Sequence, residues 1–323
     1  MQDKKHQWRR RAVLGAAGGS VLVLLLAGCG SAGSGTAPAS ASASGGPVEV
    51  ATSTDVYGDI ASSIGGDRVH VTPIIHSVSQ DPHSYQATPQ DRLTVSKARI
   101  LIENGGGYDD FFSTLAADGT GEHQLVNVTT LSGLAPDTGT AAPGSAGAAE
   151  FNEHLWYNFE TMSTLADTLS EDLARIDPAG TAAFTANADR FKAELGKLKE
   201  RTAALKQRHA GEAVAITEPV PLYLLDAAGL VNKTPDEFSH AIETGDDVPA
   251  TVMKETLDLI EGRSVKMLAY NAQTEGPQTS ALKDAATRAG VPVVNFTETL
   301  PDGKNYLQWM SANVDSVEKA LQP

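Results

Sequence analysis

Past residue 47, short apolar runs alternate with longer amphipathic stretches. Val48 to Thr54 (VEVATST) predicts a strand and Asp59 to Ile64 a helix. The alternation continues with a strand over Val69 to Ile75, a helix over Thr88 to Ala98, a strand over Ile100 to Glu103, a helix over Tyr108 to Ala117 and a strand over Leu125 to Thr129. Two helical segments follow, Phe159 to Arg175 and Pro178 to about Arg208. In the second, Phe184, Ala188, Phe191, Leu195, Leu198 and Leu205 fall on one stripe at helical spacing. Pro178 suits a first turn and Asp177 a cap, and about 30 residues at about 1.5 Å each make a rod of about 45 Å. Alternation then restarts: strand Val214 to Thr217, helices Leu222 to Ala228 and Val248 to Glu261, strand Val265 to Tyr270, helix Gln278 to Ala289, strand Val291 to Thr297, and a closing helix Tyr306 to Leu321.

Strands that alternate with helices predict parallel sheets covered on both faces. The expected fold class is α/β: two lobes, each a parallel sheet flanked by helices, joined by one long rigid linking helix. The expected boundaries are 48–177 for the first lobe, 178–209 for the linking helix and 210–323 for the second lobe, with an insertion at 132–150 reduced mostly to Gly, Ala, Pro, Ser and Thr. In open α/β sheets, ligands sit beyond the carboxyl ends of the strands.

The amino terminus changes the expected address. Lys4, Lys5, Arg9, Arg10 and Arg11 precede an apolar segment from Ala12 to Gly28, too short and glycine-broken for a folded helix of the mature chain. It ends in Leu26-Ala27-Gly28-Cys29, which resembles the lipobox of a bacterial lipoprotein, and Cys29 is the only cysteine. Residues 1–28 are expected to be a signal peptide, Cys29 the lipidation site and 29–47 a flexible tether. A protein held to the bilayer through acylated Cys29 sits outside the cytoplasm, at a cell surface or in a periplasm. The arginine run also hints weakly at twin-arginine export. The chain carries 25 Lys+Arg against 40 Asp+Glu; loss of the leader, with five basic and one acidic residue, leaves 20 against 39. That balance disfavours nucleic acid and mildly favours cations.

Four residues stand at strand ends with chemistry to offer. His83 follows the second strand in Asp81-Pro82-His83-Ser84-Tyr85, and His154 follows the insertion in Asn152-Glu153-His154-Leu155-Trp156. Glu218 and Glu298 each follow a strand in a Thr-Glu pair, 217–218 and 297–298. Imidazole is a borderline ligand for zinc, manganese, iron and nickel, and carboxylate shifts the preference toward harder ions. A cage made wholly of protein ligands suits transport better than catalysis. On residue type alone, each histidine also fits a hydrogen-bonded surface group, and each glutamate a solvated strand end.

DPHSYQATPQD at 81–91 closely resembles the histidine motif of the cluster A-I metal-binding proteins, the zinc, manganese and iron receptors of bacterial ABC importers. The resemblance runs over nearly all of 48–323, through His154-Leu155-Trp156, Asp177-Pro178, Thr217-Glu218-Pro219, Tyr270-Asn271-Ala272-Gln273-Thr274, GVPVVNFTETLPDG at 290–303, and Tyr306 with Trp309-Met310. It implies two α/β lobes with a metal between them, and His83, His154, Glu218 and Glu298 as ligands of one divalent ion, Zn2+ or Mn2+. It also implies a membrane permease as partner, a monomer and no catalysis. Gln86 and Glu153 depart from the Glu and Asp common in the family, and Glu218 stands where zinc-specific members often carry a third histidine. The insertion 132–150 has no histidine, so the pattern leans toward the manganese type without deciding it. His70, His76, His123, His209 and His240, with Trp156 and Trp309, are expected to be structural.

Alternatives are a metal-dependent hydrolase, a receptor for an iron–siderophore complex and a surface adhesion lipoprotein. The chain has neither HExxH nor G-x-S-x-G, and few arginines near the candidate ligands.

Overall fold

The computed structural model describes residues 46–119, 121–135 and 151–322. The expected signal peptide, Cys29, most of the tether and residues 136–150 of the insertion lie outside them. No helix among the described residues is long and apolar enough to cross a membrane.

The first lobe runs β1 (Val48–Thr54), α1 (Asp55–Gly65), β2 (Val69–Ile75), α2 (Pro89–Lys97), β3 (Ile100–Glu103), α3 (Asp110–Asp118), β4 (Gln124–Asn127), α4 (Val128–Ser132) and α5 (Phe159–Ile176). The long α6 (Thr181–His209) then leads to β5 (Ala213–Ile216), α7 (Leu222–Ala227), β6 (Val231–Asn232), α8 (Asp236–Thr244), α9 (Ala250–Glu261), β7 (Leu268–Asn271), α10 (Pro277–Ala289), β8 (Val293–Phe296) and α11 (Tyr306–Ala320). Each lobe holds a four-stranded sheet, in the orders β2-β1-β3-β4 and β6-β5-β7-β8, and every strand pair is parallel. The two sheets repeat one topology, with the lobe's first and third strands in the centre. Those central strands are the apolar ones: β3 (ILIE) and β7 (LAYN) are buried at every position, whereas β4 and β6 are partly exposed at the edges. A strand covered on both faces reads as a continuous apolar run, and an edge strand need not.

Among the described residues, three hydrophobic clusters form the core. One packs α2 and α3 on the first sheet through Val95, Leu101, Phe112 and Leu115; another packs α8, α9 and α10 on the second through Phe238, Ile260, Leu268 and Leu282. The third and largest belongs to both lobes. It joins β1 and α1 to α5 and α6, then to β8 and α11, through Tyr57, Ile60, Trp156, Leu165, Phe184, Leu195, Ile216, Phe296, Trp309 and Met310. All six residues of the predicted stripe on α6 are buried. At about 1.5 Å per residue its 29 residues span about 44 Å. Both indoles expected to be packing residues are buried there, Trp156 at 0% and Trp309 at 2% exposure.

Some local expectations change. Pro178–Gly180 forms a single 3-10 turn, so α6 starts at Thr181. The Asp177 side chain caps nothing; its carboxylate takes Nε and Nη2 of Arg68 at 2.6 and 2.5 Å. The fourth strand stops at Asn127, because the Asn127 side chain accepts from Thr130 N and caps α4. The first helix begins at Asp55, four residues earlier than its apolar spacing suggests.

Candidate metal centre

The carboxyl ends of the strands meet across a cleft between the two sheets, and the four expected ligands face it from loops at those ends. His83 lies on the loop after β2, where the Asp81 carboxylate accepts from His83 N at 3.0 Å and from Ser84 Oγ at 2.7 Å. His154 opens the turn before α5 and is 1% exposed. Its Nδ1 sits 2.7 Å from Asn152 Oδ1, which also accepts from His154 N. With Nδ1 carrying the proton for that bond, Nε2 keeps its lone pair for a ligand. Asn152 is itself held to the second lobe, donating to Pro219 O at 3.1 Å while its own carbonyl accepts from Tyr223 Oη at 2.7 Å.

The carboxylates come from the second lobe. Glu218 and Glu298 are 3% and 5% exposed, and Asn271 Nδ2 donates to both, to Glu298 Oε1 at 2.7 Å and to Glu218 Oε2 at shorter range. Thr274 Oγ1 adds a bond to Glu218 Oε2 at 2.7 Å. Gln273 fixes the next stretch of backbone: its Oε1 accepts from Glu298 N and Thr299 N, and its Nε2 donates to Val78 O across the cleft at 3.0 Å. One oxygen of each carboxylate, Glu218 Oε1 and Glu298 Oε2, is buried with no hydrogen-bond partner.

His83, His154 and Glu298 each present a donor atom within 4.8 Å of the others. Glu218 is outside that trio and reaches it through Asn271. Glu153, His154 and Glu243 form a second grouping at the same spacing on the outer side, where His83 Nε2 stands 3.8 Å from Glu153 Oε1. An adjoining cavity of about 910 Å³ has Asp81, Glu153, Glu243, Asp246 and Asp247 in its wall and no Lys or Arg among its described lining residues.

Electrostatics follow from burial. Glu298 is pushed up to about 8, first by burial and then by the Glu218 charge, with Asn271 acting against them. Glu218 is raised by burial as well. His154 is lowered to about 3 by burial and by His83, and burial lowers His83 against the pull of Asp81. Two like charges and a desolvated pocket favour neutral forms, so without a cation nearby Glu298 keeps its proton at neutral pH. Two unprotonated imidazoles and two carboxylate oxygens lacking partners form a donor set that a divalent transition metal would satisfy.

Residue-level reading of the sequence passed over Asn152, Asn271 and Gln273, which orient these donors. Asn271 ends β7 and Thr217 directly follows β5, and Asn271 N donates to Thr217 Oγ1 at 2.8 Å, so its place at a central strand end was the available signal. Of the histidines expected to be structural, His70 pairs with Glu49, His76 with Ile74 O and His209 with Glu212.

Two parallel-sheet lobes around a cleft of imidazoles and carboxylates define a two-lobed, metal-binding solute-binding protein. The chain belongs to the ZnuA family, described as zinc-uptake complex component A, periplasmic, which it matches over residues 50–320. It is 24% identical over 290 residues to the manganese ABC transporter substrate-binding lipoprotein PsaA of Streptococcus pneumoniae, covering 85% of this chain and 89% of that one. It is 25% identical over 181 residues to the manganese-binding lipoprotein MntA of Halalkalibacterium halodurans, a match spanning 56% of this chain and 55% of that protein. Among solved structures, the periplasmic zinc-binding protein TroA of Treponema pallidum superposes with a TM-score of 0.70 at 22% identity, over 86% of this chain and all of the other. At that identity the likeness establishes the fold.

Proposed function

We propose that this protein captures one divalent transition-metal ion, zinc or manganese, in the cleft between its lobes and passes it to the permease of an ABC importer. His83 Nε2, His154 Nε2 and Glu298 Oε2 bind the ion, and Glu218 Oε1 joins them by a small side-chain movement. The observation that carries this reading is the pair of buried carboxylate oxygens without partners, opposite the buried, neutral imidazole of His154 and the more exposed one of His83. A buried unpaired carboxylate is costly, and a divalent cation repays two of them at once. Membership of an uptake family and the names of its relatives, manganese and zinc binders among them, support the same cargo. The carboxylates in the cavity wall, with no cationic side chain beside them, suit a hydrated cation better than an anionic iron–siderophore complex. Acylation of Cys29 tethers the receptor outside the cytoplasm as a monomer; relatives named lipoproteins support that address.

The test is native mass spectrometry with elemental analysis of the detergent-solubilised chain, stripped of metal and then offered zinc, manganese, iron and nickel together. One bound equivalent in the wild type, absent in His83→Ala and His154→Ala, is the expected result. No stoichiometric metal under any of these conditions overturns the proposal.

A further inference from the structure

The four proposed ligands come from two lobes, and Gln273 of the second lobe makes a hydrogen bond that crosses to the loop of His83. Gln273 lies two residues beyond β7 and is half-buried. Its own N donates to Asn271 Oδ1 at 3.0 Å, which leaves the Asn271 amide nitrogen facing the two carboxylates. Its side-chain oxygen accepts from Glu298 N at 2.5 Å and from Thr299 N at 3.1 Å. Its Nε2 donates to Val78 O at 3.0 Å. Two N–H groups on one side and a carbonyl on the other leave one orientation for the amide. Among the described residues the rest of that loop is held by local bonds: Gln80 N donates to Ser77 O at 3.0 Å, and Asp81 takes His83 N and Ser84 Oγ. Val78 itself is 44% exposed. A cavity of about 70 Å³ lies between Val78 to Pro82 on one side and Gln273, Thr274 and Glu298 on the other. The segment tied down by Gln273 therefore covers a small space that ends on Glu298. His154 is fastened more heavily. Asn152, which holds its Nδ1, reaches the second lobe through two bonds, to Pro219 O and from Tyr223 Oη, and His154 is 1% exposed. A group on an exposed loop with few bonds opens before a buried one with several.

We propose that Gln273 is a positioning residue that latches the His83 loop to the carboxylate half of the cleft, and that the ion enters and leaves when this bond breaks. The inference rests on the receptor reading above. Parting Gln273 Nε2 from Val78 O frees the loop, lifts His83 from the ion and opens the small cavity onto Glu298, while Asn152 keeps His154 in place. His83 is then the first ligand to let go on release and the last to close on capture. The same bond must break in both directions, so the latch governs both rates and leaves the affinity nearly untouched.

The experiment compares wild type, Gln273→Glu and Gln273→Leu as full chains in detergent near neutral pH. Zinc capture, and zinc release into excess chromogenic chelator, are followed by stopped flow, and amide hydrogen exchange is read over residues 77–84 of the metal-free chains. Gln273→Glu keeps an oxygen for Glu298 N and Thr299 N but has no hydrogen for Val78 O. The expected result for it is release and capture both about fivefold faster, the factor one hydrogen bond is worth, with Kd unchanged within about twofold and faster exchange over 77–84. The added negative charge alone would speed capture and slow release, so faster release cannot come from it. Gln273→Leu also strips the acceptor from Glu298 N, and should release zinc at least as fast and bind it about tenfold more weakly. A release rate of Gln273→Glu equal to or below that of wild type overturns the inference. Faster release with unchanged exchange over 77–84 overturns it too, by confining the effect to Glu298. In both cases wild type still binds zinc and the receptor reading stands. A wild type that binds no zinc removes the receptor reading and the inference together.

Discussion

In the first lobe the cleft is edged by imidazoles that carry no charge; in the second it is edged by two carboxyl groups that cannot both ionise cheaply, so that Glu298 holds its proton. The two sheets have the same strand order and present the same ends to the cleft. Yet His83 and His154 are seated among aromatic rings, while Glu218 and Glu298 share one amide donor and each retains an unpartnered oxygen. Burial acts oppositely on the halves: it makes the imidazoles better ligands by removing their protons and strains the carboxylates by removing water. The metal-free protein therefore holds its tension in the second lobe, and a cation relieves it there. Topology places donors at an edge; the residues beside them decide whether those donors rest or wait for a partner.

Substitutions on either side of the cleft should separate these roles. His154→Ala and Glu298→Gln are each expected to lower metal affinity at least about 100-fold, measured by competition against a chelator, because each deletes a proposed ligand. Their effects on the metal-free protein should have opposite signs. His154→Ala opens a cavity in a buried aromatic cluster and should cost about 2 kcal/mol in a denaturant melt. Glu298→Gln removes a buried carboxyl that must take up a proton on folding at neutral pH, and should raise the thermal midpoint by a few degrees. A lowered midpoint in Glu298→Gln would mean that the second lobe holds no such tension.

Asn271 sharpens the contrast, since among the described residues it alone bonds both carboxylates. Asn271→Asp replaces the shared donor with a third acid and should destabilise the metal-free chain by about 3 kcal/mol. Saturating zinc should restore most of that loss, whereas the same change at an exposed site would show no metal dependence. A smaller effect is expected at the seam. Tyr157 Oη donates to Thr297 O at 2.8 Å, beside Glu298. Tyr157→Phe should cost about 1 kcal/mol, the net worth of one buried hydrogen bond.

Most of the fold was legible because its central strands are mostly apolar and its long helix carries a regular stripe. What escaped lacks such a pattern. β6 is two residues long, and α8 follows Pro235 with polar Asp236 and Glu237, burying only Phe238, Ser239 and Ala241. The shared core was invisible for another reason: periodicity shows that a face is apolar and not which lobe covers it. In the site, His83, His154, Glu218 and Glu298 could be nominated from residue type and strand-end position. Their inequality could not, since the closeness of His83, His154 and Glu298, and the offset of Glu218, depend on side-chain packing. Gln273 read simply as a residue past a strand end, because nothing in its spacing reveals a bond to Val78 across the cleft.

The weakest expected effect tests whether the lobe seam titrates separately from the site. Asp55, at the start of α1, accepts from Leu300 N of the second lobe at 3.2 Å, and Asp59 accepts from Tyr306 N at 2.8 Å. Burial raises Asp55 from 3.8 to about 6, against the Leu300 amide and the charge of His76. A carboxylate whose value is higher folded than unfolded contributes fully below its unfolded value, and that contribution fades as pH rises through about 6. At neutral pH the ionised, half-buried Asp55 is therefore a liability that an uncharged amide would not share, while an amide oxygen can still accept from Leu300 N. The thermal midpoint of Asp55→Asn relative to wild type should thus climb between pH 4 and pH 7 by a degree or two, about the shift a fraction of a kcal/mol produces. Measured in a metal chelator, a difference that stays flat across that range would show that Asp55 is not destabilising when charged, and that the tension of the metal-free protein is confined to the cleft.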